Sequence, residues 1–231
     1  MTETSLFELT NVAKKFVRGK ETITVFDQLN MSIRQGDFLA IMGPSGSGKT
    51  TLLNLLGGVD QPSSGAISFL GSRIDKLSEG QLAAWRASNV GFIFQFYNLM
   101  PMLNAARNVE LPLMLTKLKS RQRKTNVAAA LELVGLSDRA KHMPSEMSGG
   151  QQQRVAIARA LVSDPKLLLC DEPTGDLDRT TADEILGILR TLNTKFKKTV
   201  LIVTHDPQAA KYAARTLYLD KGEFVEKDLA A

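Results

Sequence analysis

The sequence predicts an α/β fold in which a parallel, helix-covered sheet accompanies an antiparallel N-terminal sheet and is interrupted by a helical insert. Residues 166–170 and 199–203 are apolar runs of strand length, and a helical pattern over residues 181–196 separates them. This alternation of strand and helix is typical of parallel sheets. Residues 6–12 alternate polar and apolar side chains, and residues 22–33 contain two further strand-like pieces, which together indicate an antiparallel sheet.

The insert is predicted from residues 104–161, which are rich in Ala, Leu, Lys, Arg and Gln and poor in strand-forming residues. We therefore expect a single domain over residues 1–231 with two parts. Residues 1–95 and 162–231 form its core. Residues 96–161 form a helical subdomain.

Length and composition are those of a globular protein. The 231 residues suffice for one domain with a buried core, and 43% hydrophobic with 23% charged residues exclude a disordered or fibrous chain. The net charge of +5 favours anionic partners such as nucleotides, nucleic acid or a cytoplasmic lipid leaflet. A basic run at residues 117–124 could meet anionic headgroups or a partner protein, although a solvated helical face is the favoured explanation.

Cysteine usage and hydropathy predict the compartment. Cys170 is the single cysteine, lies in an apolar run and excludes an internal disulfide, which fits a reducing cytosol. Residues 1–12 lack the basic and apolar regions of a signal peptide. Since no apolar run approaches the roughly 18 residues of a membrane span, we expect any membrane role to come through a partner.

A strand, a glycine-rich loop and a helix follow one another in the first quarter of the chain. Residues 37–42 predict a strand, residues 43–48 the loop, and residues 50–56 a helix that ends at Gly57 and Gly58. The loop fits the phosphate-binding pattern of P-loop NTPases in the context which that pattern requires. The residues predicted to contact phosphate are Gly43, Pro44, Ser45, Gly46, Ser47, Gly48, Lys49, Thr50 and Thr51.

Each part of this loop has a chemical reason. The glycines let backbone N–H groups close around phosphate oxygens, and the helix N-terminus adds a favourable dipole. Lys49 is expected to reach the β- and γ-phosphates of a nucleotide, and the Thr50 hydroxyl to ligate Mg²⁺. A glycine-rich turn without function is the alternative.

Two carboxylates end the predicted strand at residues 166–170. Asp171 and Glu172 match the arrangement by which P-loop NTPases hold Mg²⁺ with the first acid. Glu172 would then activate or position the attacking water. Alone, the pair could equally be a solvated loop, and the phosphate loop upstream favours the functional interpretation.

The segment Met147-Ser148-Gly149-Gly150-Gln151 resembles the signature sequence of ABC (ATP-binding cassette) ATPases, with Met147 where that family usually has Leu. Its chemistry is a second anion-binding turn at a helix N-terminus, ahead of a helix predicted over residues 152–161. In the family, this turn serves the ATP bound by a second, head-to-tail subunit. The resemblance extends over about residues 6–226.

Other family positions match in order. Gln95 resembles the Q-loop glutamine, residues 175–178 the D-loop, and His205 the switch histidine that contacts the γ-phosphate. Phe16 stands where the family stacks an aromatic ring on adenine, although a core or strand-edge role is as plausible. His142 has no such context and is expected to be an ordinary surface residue.

Within the family, residues 90–101 and 108–112 are similar to the group of lipoprotein-releasing, macrolide-export and cell-division ATPases. Residues 173–178 are similar too, although Asn is common in that group where Asp176 stands. The group implies transmission of mechanical work to a partner with few membrane helices, with or without passage of substrate through a channel.

The resemblance implies an α/β, RecA-like P-loop NTPase core with an N-terminal antiparallel β-subdomain and a helical insert. It also implies an ATPase subunit, at the cytoplasmic face of the inner membrane, that dimerises around ATP and Mg²⁺ and drives a separate integral membrane permease. The implied catalytic residues are Glu172, His205, Gln95 and Lys49. The implied nucleotide contacts are Phe16, residues 43–51, Ser148, Gly149, Gly150 and Gln151, and the implied metal ligands are Thr50, Gln95 and Asp171.

Two alternatives stay open at this stage. One is a regulatory ATPase that signals to a periplasmic enzyme, as cell-division members of the group do. The other is an ABC ATPase that acts on nucleic acid. Such proteins typically carry long coiled-coil insertions or two cassettes in one chain, which this sequence lacks, so no nucleic-acid partner is expected.

Overall fold

A computed structural model describes residues 5–19 and 21–225, so the predicted domain ends at residues 1–4 and 226–231 lie outside the described part. The strands in that part are β1 (Ser5–Arg18), β2 (Glu21–Arg34), β3 (Phe38–Met42), β4 (Ser64–Phe69), β5 (Ser72–Arg73), β6 (Val90–Phe94), β7 (Leu167–Asp171), β8 (Thr199–Val203), β9 (Arg215–Asp220) and β10 (Glu223–Val225). The helices are α1 (Lys49–Leu56), α2 (Glu79–Asn89), α3 (Ala105–Glu110), α4 (Ser120–Leu133), α5 (Gly149–Leu161), α6 (Arg179–Phe196) and α7 (Pro207–Ala210). Short 3₁₀ turns cover Leu111–Leu115, Ser137–Arg139 and Pro144–Glu146.

The N-terminal sheet is antiparallel, with the strand order β2-β1-β4-β5. The expectation of two strand pieces in residues 22–33 is wrong, because β2 is one continuous strand paired with β1 along its length. The sequence pattern of this strand looks like two pieces for a local reason. Gln28 has a left-handed φ of 73°, and the β1–β2 register shifts in this region, so the alternation of inward and outward side chains changes phase there.

The second sheet has the order β10-β9-β3-β8-β7-β6, and every pair except β9–β10 is parallel. β3, β6, β7 and β8 therefore end at the same edge of the sheet. Their registers agree closely, since Ile41 pairs with Val203, Val203 is level with Asp171, and Asp171 is level with Phe94. The loops that follow these strands meet at that edge, which is where open parallel sheets place their ligands.

The parallel sheet is buried on both faces. In β3, Phe38, Ala40 and Met42 pack toward α3, α5 and α6, whereas Leu39 and Ile41 pack toward α1 and the N-terminal sheet. A strand buried on both faces needs a continuous apolar run, and this explains the sequence of β3, β7 and β8. Cys170 belongs to the same layer and is fully buried, and this burial raises the pKa of its thiol far above the usual range.

The predicted helical insert consists of α3, α4 and α5. Their apolar faces share one core with α6 and the face of the parallel sheet that α6 covers. α5 lies against β6, and Gly91 in β6 makes this approach possible because a Cβ there would overlap the carbonyl oxygen of Ala160. No helix in residues 5–19 and 21–225 is both long and apolar enough to cross a bilayer.

Candidate functional site

A pocket of about 730 Å³ opens at the edge where β3, β6, β7 and β8 end. The phosphate loop and the start of α1 form one side of it, and the segments that follow β6, β7 and β8 form the other. The predicted site residues that line it are Gly43, Pro44, Ser45, Gly46, Lys49, Thr50, Gln95, Asp171, Glu172 and His205. The fold thus brings together groups that lie up to 162 positions apart in the sequence.

The phosphate loop requires glycine at several positions, and Gly46 and Gly48 show two different reasons. Gly46 has a φ of 79°, which side chains with a Cβ rarely adopt. Gly48 combines a φ of 106° with close packing, because a Cβ there would lie 2.9 Å from a ring carbon of Phe26. The loop therefore keeps its backbone exposed to the pocket rather than covered by side chains.

α1 begins at Lys49, directly after the loop, and its N-terminus is not capped by a side chain. Its first turn also contains no acidic residue. The first backbone N–H groups of a helix have no acceptor inside the helix and carry a partial positive charge. This end of α1 is therefore suited to an external anion such as a phosphate group.

Lys49 is held across the loop. Its Nζ donates hydrogen bonds of 2.8 Å to the carbonyl oxygens of both Gly43 and Pro44. An ammonium group has three donors, so this arrangement fixes the charge at the loop and leaves donor capacity for a ligand.

Thr50 and Asp171 form a candidate metal site. The Thr50 hydroxyl donates to Oδ2 of Asp171 at 3.4 Å. Burial raises the pKa of Asp171, and the charge of Glu172 raises it further, while the Thr50 hydrogen bond and the charge of Lys49 act in the opposite direction. A carboxylate in this environment is stabilised by a neighbouring cation.

The donor set fits Mg²⁺. Hydroxyl and carboxylate oxygens are hard ligands, and Mg²⁺ is commonly held by one or two carboxylates together with nucleotide phosphates. Within the described residues no group of three or more His, Cys, Asp or Glu side chains could form an all-protein metal cage. The site therefore suits a cation that arrives with a phosphate ligand.

Glu172 has an unusual backbone conformation, with a φ of 48°. Its N–H donates to the carbonyl oxygen of Val203 at 2.9 Å, which anchors this turn to the end of β8. Its Oε1 lies 2.8 Å from Nδ1 of His205. A left-handed conformation in a residue with a side chain is retained where surrounding contacts determine it, and such positions cluster at functional sites.

Gln95 follows β6 at the level where Asp171 ends β7. Its side chain lies against Gly175, where an added Cβ would be 3.0 Å from Nε2 of Gln95. The pocket also includes Phe96 and Asn98, which sequence reasoning missed. A turn-forming residue such as Asn a few residues after a strand is a signal that could have identified Asn98.

The Ser148 turn does not line this pocket, so the predicted nucleotide contacts fall into two separate groups. Ser148 caps α5 reciprocally: its Oγ accepts from the N–H of Gln151 at 3.3 Å, and its own N–H donates to Oε1 of Gln151 at 3.0 Å. Gly150 leaves no space for a side chain because a Cβ there would overlap Cγ2 of Thr181.

Two aromatic expectations have different outcomes. Phe16 lies on β1 with 41% of its surface exposed and with Nζ of Lys14 4.7 Å from the ring centre, outside the lining of the pocket. Its stacking on adenine stays a prediction.

His142 is not an ordinary surface residue, because it is half-buried, with Nε2 3.1 Å from Arg139 and a buried Nδ1.

The sequence and the fold match known proteins. The model of the ABC transporter family matches residues 26–175. A lipoprotein-releasing system ATP-binding protein, LolD of Chromohalobacter salexigens, is 43% identical over 90% of this chain and 88% of its own. The macrolide export ATP-binding/permease protein MacB 1/2 of Paracoccus denitrificans is 46% identical over 95% of this chain, which corresponds to only 33% of that longer protein.

A solved structure has the same fold. The ATP-binding cassette MJ0796 of Methanocaldococcus jannaschii, in a dimeric post-hydrolysis state bound to ADP and Pi, superposes with a TM-score of 0.87 at 40% identity. The superposition covers 95% of this chain and 97% of that one. These matches confirm the predicted α/β cassette fold and the resemblance to the lipoprotein-releasing and macrolide-export group. The chain belongs to the ABC transporter family, as one of its ATP-binding proteins.

Proposed function

We propose that the chain binds Mg-ATP in the pocket at the sheet edge and hydrolyses it as one half of a head-to-tail homodimer, thereby driving an integral membrane permease. The observation that carries the proposal is that the two turns predicted to bind phosphate lie apart in one chain. The phosphate loop lines the pocket, whereas the Ser148 turn lies outside it. A second copy of the chain can supply its Ser148 turn to the pocket of the first.

The roles of the pocket residues follow from their contacts. Lys49 and the amides of the phosphate loop stabilise the negative charge of the β- and γ-phosphates. Water attacks the γ-phosphorus, the bond to the bridging oxygen breaks with release of ADP, and Glu172 accepts the proton of the water. His205, 2.8 Å from Glu172, orients that carboxylate. It would also contact the γ-phosphate.

Thr50, Asp171 and Gln95 would hold Mg²⁺. When bound, Mg²⁺ neutralises charge on the phosphate oxygens. The raised pKa of Asp171 supports this assignment because the cation would compensate for the burial of the carboxylate and its proximity to Glu172.

A membrane partner is supported by the surface beside the Gln95 loop. A groove of about 460 Å³ lies between α2, β6 and the start of the helical insert, and apolar atoms dominate its lining. Five large apolar side chains nearby in the sequence are exposed: Phe96, Met100, Met102, Met114 and Leu115. Exposed apolar surface of this kind marks interaction sites. The combined ATP-binding and permease parts of MacB support a permease as the partner of this chain. The chain would then act at the cytoplasmic face of the membrane.

Complementation between two variants tests the shared site. We expect Ser148→Arg to leave ATP binding by single subunits nearly intact and to block hydrolysis, and Lys49→Ala to abolish tight ATP binding. Mixed subunits place both changes at one of the two interfaces and leave the other intact, so partial ATPase activity should return. Gln152→Arg adds the same charge to the same helix and is the control. It should not show loss of hydrolysis that returns on mixing with Lys49→Ala.

The outcome against the proposal is equally specific. Ser148→Arg with wild-type hydrolysis, or mixtures that never recover activity although both variants are folded and associate, would contradict a site shared between two subunits. Co-purification of the chain with an integral membrane protein from detergent extracts tests the partner. Recovery of the chain with nucleic acid instead would contradict the proposed partner.

A further inference from the structure

The helix α5 does more than present the Ser148 turn, because one of its polar side chains enters the protein core. Gln153 is 0% exposed. Its Nε2 donates to the carbonyl oxygen of Phe94 at 3.2 Å and to that of Pro173 at 2.5 Å. The first carbonyl precedes Gln95 by one residue, and the second follows Glu172 by one residue. One amide group thus joins the two segments that carry the proposed metal and water-activating residues.

A second side chain of α5 holds the other end of the Gln95 segment. Arg159 donates from Nη1 to the carbonyl oxygen of Asn98 at 2.6 Å and from Nη2 to that of Tyr97 at 2.8 Å. Both Tyr97 and Asn98 have left-handed φ values, 58° and 50°, which residues with side chains adopt only when contacts compensate. Burial lowers the pKa of Arg159, so its guanidinium is partly removed from water to make these bonds.

The arrangement is not what stability alone would favour. Oε1 of Gln153 is buried and has no hydrogen-bond partner within the described residues. An unpartnered buried polar atom is destabilising, and an apolar residue of similar shape at this position would avoid that cost. The amide is therefore better explained by the two backbone segments that it holds than by its contribution to folding.

We propose that Gln153 and Arg159 are positioning residues, which clamp residues 94–98 to α5 and fix Gln95 and Glu172 relative to each other. The inference rests on the proposed function, because it assigns a task to residues that support Gln95 and Glu172. It also links two distant parts of the site. α5 is a rigid helix that starts at the Ser148 turn, so the same clamp sets the distance from that turn to the metal ligands.

Metal binding without turnover tests the clamp directly. In a Glu172→Gln background, Mn²⁺ serves as a spectroscopic probe in place of Mg²⁺, and its binding in the presence of ATP is measured by electron paramagnetic resonance. We expect Gln153→Met and Arg159→Met each to weaken Mn²⁺ binding about tenfold, the loss typical for groups that orient metal ligands. ATP affinity without metal should stay within about twofold, since the phosphate loop is not changed.

Coupling to Gln95 separates positioning from general destabilisation. Gln95→Ala removes the ligand, so Gln153→Met should weaken Mn²⁺ binding no further in a Gln95→Ala protein. Two control variants on α5 should leave Mn²⁺ binding unchanged. Arg154→Met removes a guanidinium that contacts Val134 and Glu184, and Ile157→Val makes a cavity in the same core. Arg159→Lys is a milder change, because it keeps the positive charge and replaces the guanidinium by one ammonium group. It tests the clamp if Gln153→Met does not fold.

Each outcome decides a separate claim. Unchanged Mn²⁺ binding in folded Gln153 and Arg159 variants, or losses that add fully to that of Gln95→Ala, would overturn the clamp while the role of Gln95 stands. An equal loss in the Ile157→Val control would overturn it as well. No effect of Gln95→Ala itself would overturn the proposed ligand together with the clamp, and absence of any Mn²⁺–ATP binding in the background protein would contradict the proposed function.

Discussion

Replacement of Glu172 by Gln isolates the chemical step, because it removes the carboxylate and keeps the side chain's size. A glutamine Oε1 can still accept the hydrogen bond that joins Glu172 to His205 at 2.8 Å. The backbone strain at this position, a φ of 48°, is unchanged by the substitution. The variant should therefore fold and keep the shape of the pocket.

The magnitude follows from the role of a general base. Loss of general-base catalysis lowers a rate by about 10²–10⁴-fold. This corresponds to about 3–5 kcal/mol in the activation free energy. The structure adds a second effect on binding. The charge of Glu172 contributes to the raised pKa of Asp171, so its removal should lower that pKa toward the usual range and strengthen Asp171 as a metal ligand.

The assay combines single-turnover hydrolysis with size-exclusion chromatography in Mg-ATP and in ADP. We expect slow hydrolysis, Mg-ATP affinity equal to or higher than that of the wild type, and a dimer that persists in ATP and not in ADP. Glu184→Gln is the matched control, because Glu184 is exposed on α6 and pairs with Arg154. Wild-type hydrolysis by Glu172→Gln, with a monomer under both conditions, would refute the role of this carboxylate and the ATP-closed dimer.

Three further variants test the site and the packing around it. The pKa of Asp171 is raised in the folded state, so its contribution to stability is present at low pH and is lost as the pH rises through that pKa. Without nucleotide, Asp171→Asn should therefore be more stable than the wild type at neutral pH, and this difference in stability should disappear toward about pH 4. The same variant should bind Mg-ATP more weakly. Urea unfolding at both pH values checks the stability, and a more stable wild type would contradict the prediction. Gly187→Ala, in α6 with no atom within 4 Å of the added Cβ, should raise the free energy of unfolding by about 1 kcal/mol. Gly150→Ala should lower the free energy of unfolding by about 1–3 kcal/mol, because the new methyl group overlaps Thr181. Equal denaturant midpoints for these two glycine variants would show that the packing of α5 on α6 is not as described.

The sequence by itself determined the parts whose signals are local. A five-residue apolar strand, a loop in which glycine meets backbone requirements, and a helix are adjacent along the chain, so β3, the phosphate loop and α1 could be predicted from their order. The same holds for the two carboxylates at the end of β7, Asp171 and Glu172. One local signal was overlooked: Ser78 and Gln81 form a capping box at the start of α2, which was not predicted. β4, β5, β9 and β10 were not predicted either, because short, partly buried strands lack a long apolar run. β6 was also not predicted, although its five residues are largely apolar.

Only the tertiary structure decided which groups share an environment. Burial and the charge of Glu172 raise the pKa of Asp171, whereas Thr50 and Lys49, which lie over 120 positions away in the chain, act in the opposite direction. In the sequence, Gln153 is one of three consecutive glutamines. In the structure it alone of the three is fully buried, and it donates hydrogen bonds to two backbone segments of the core. Parallel pairing and helix packing join segments that are distant in sequence. The environment of a polar side chain therefore depends on contacts that no local pattern contains.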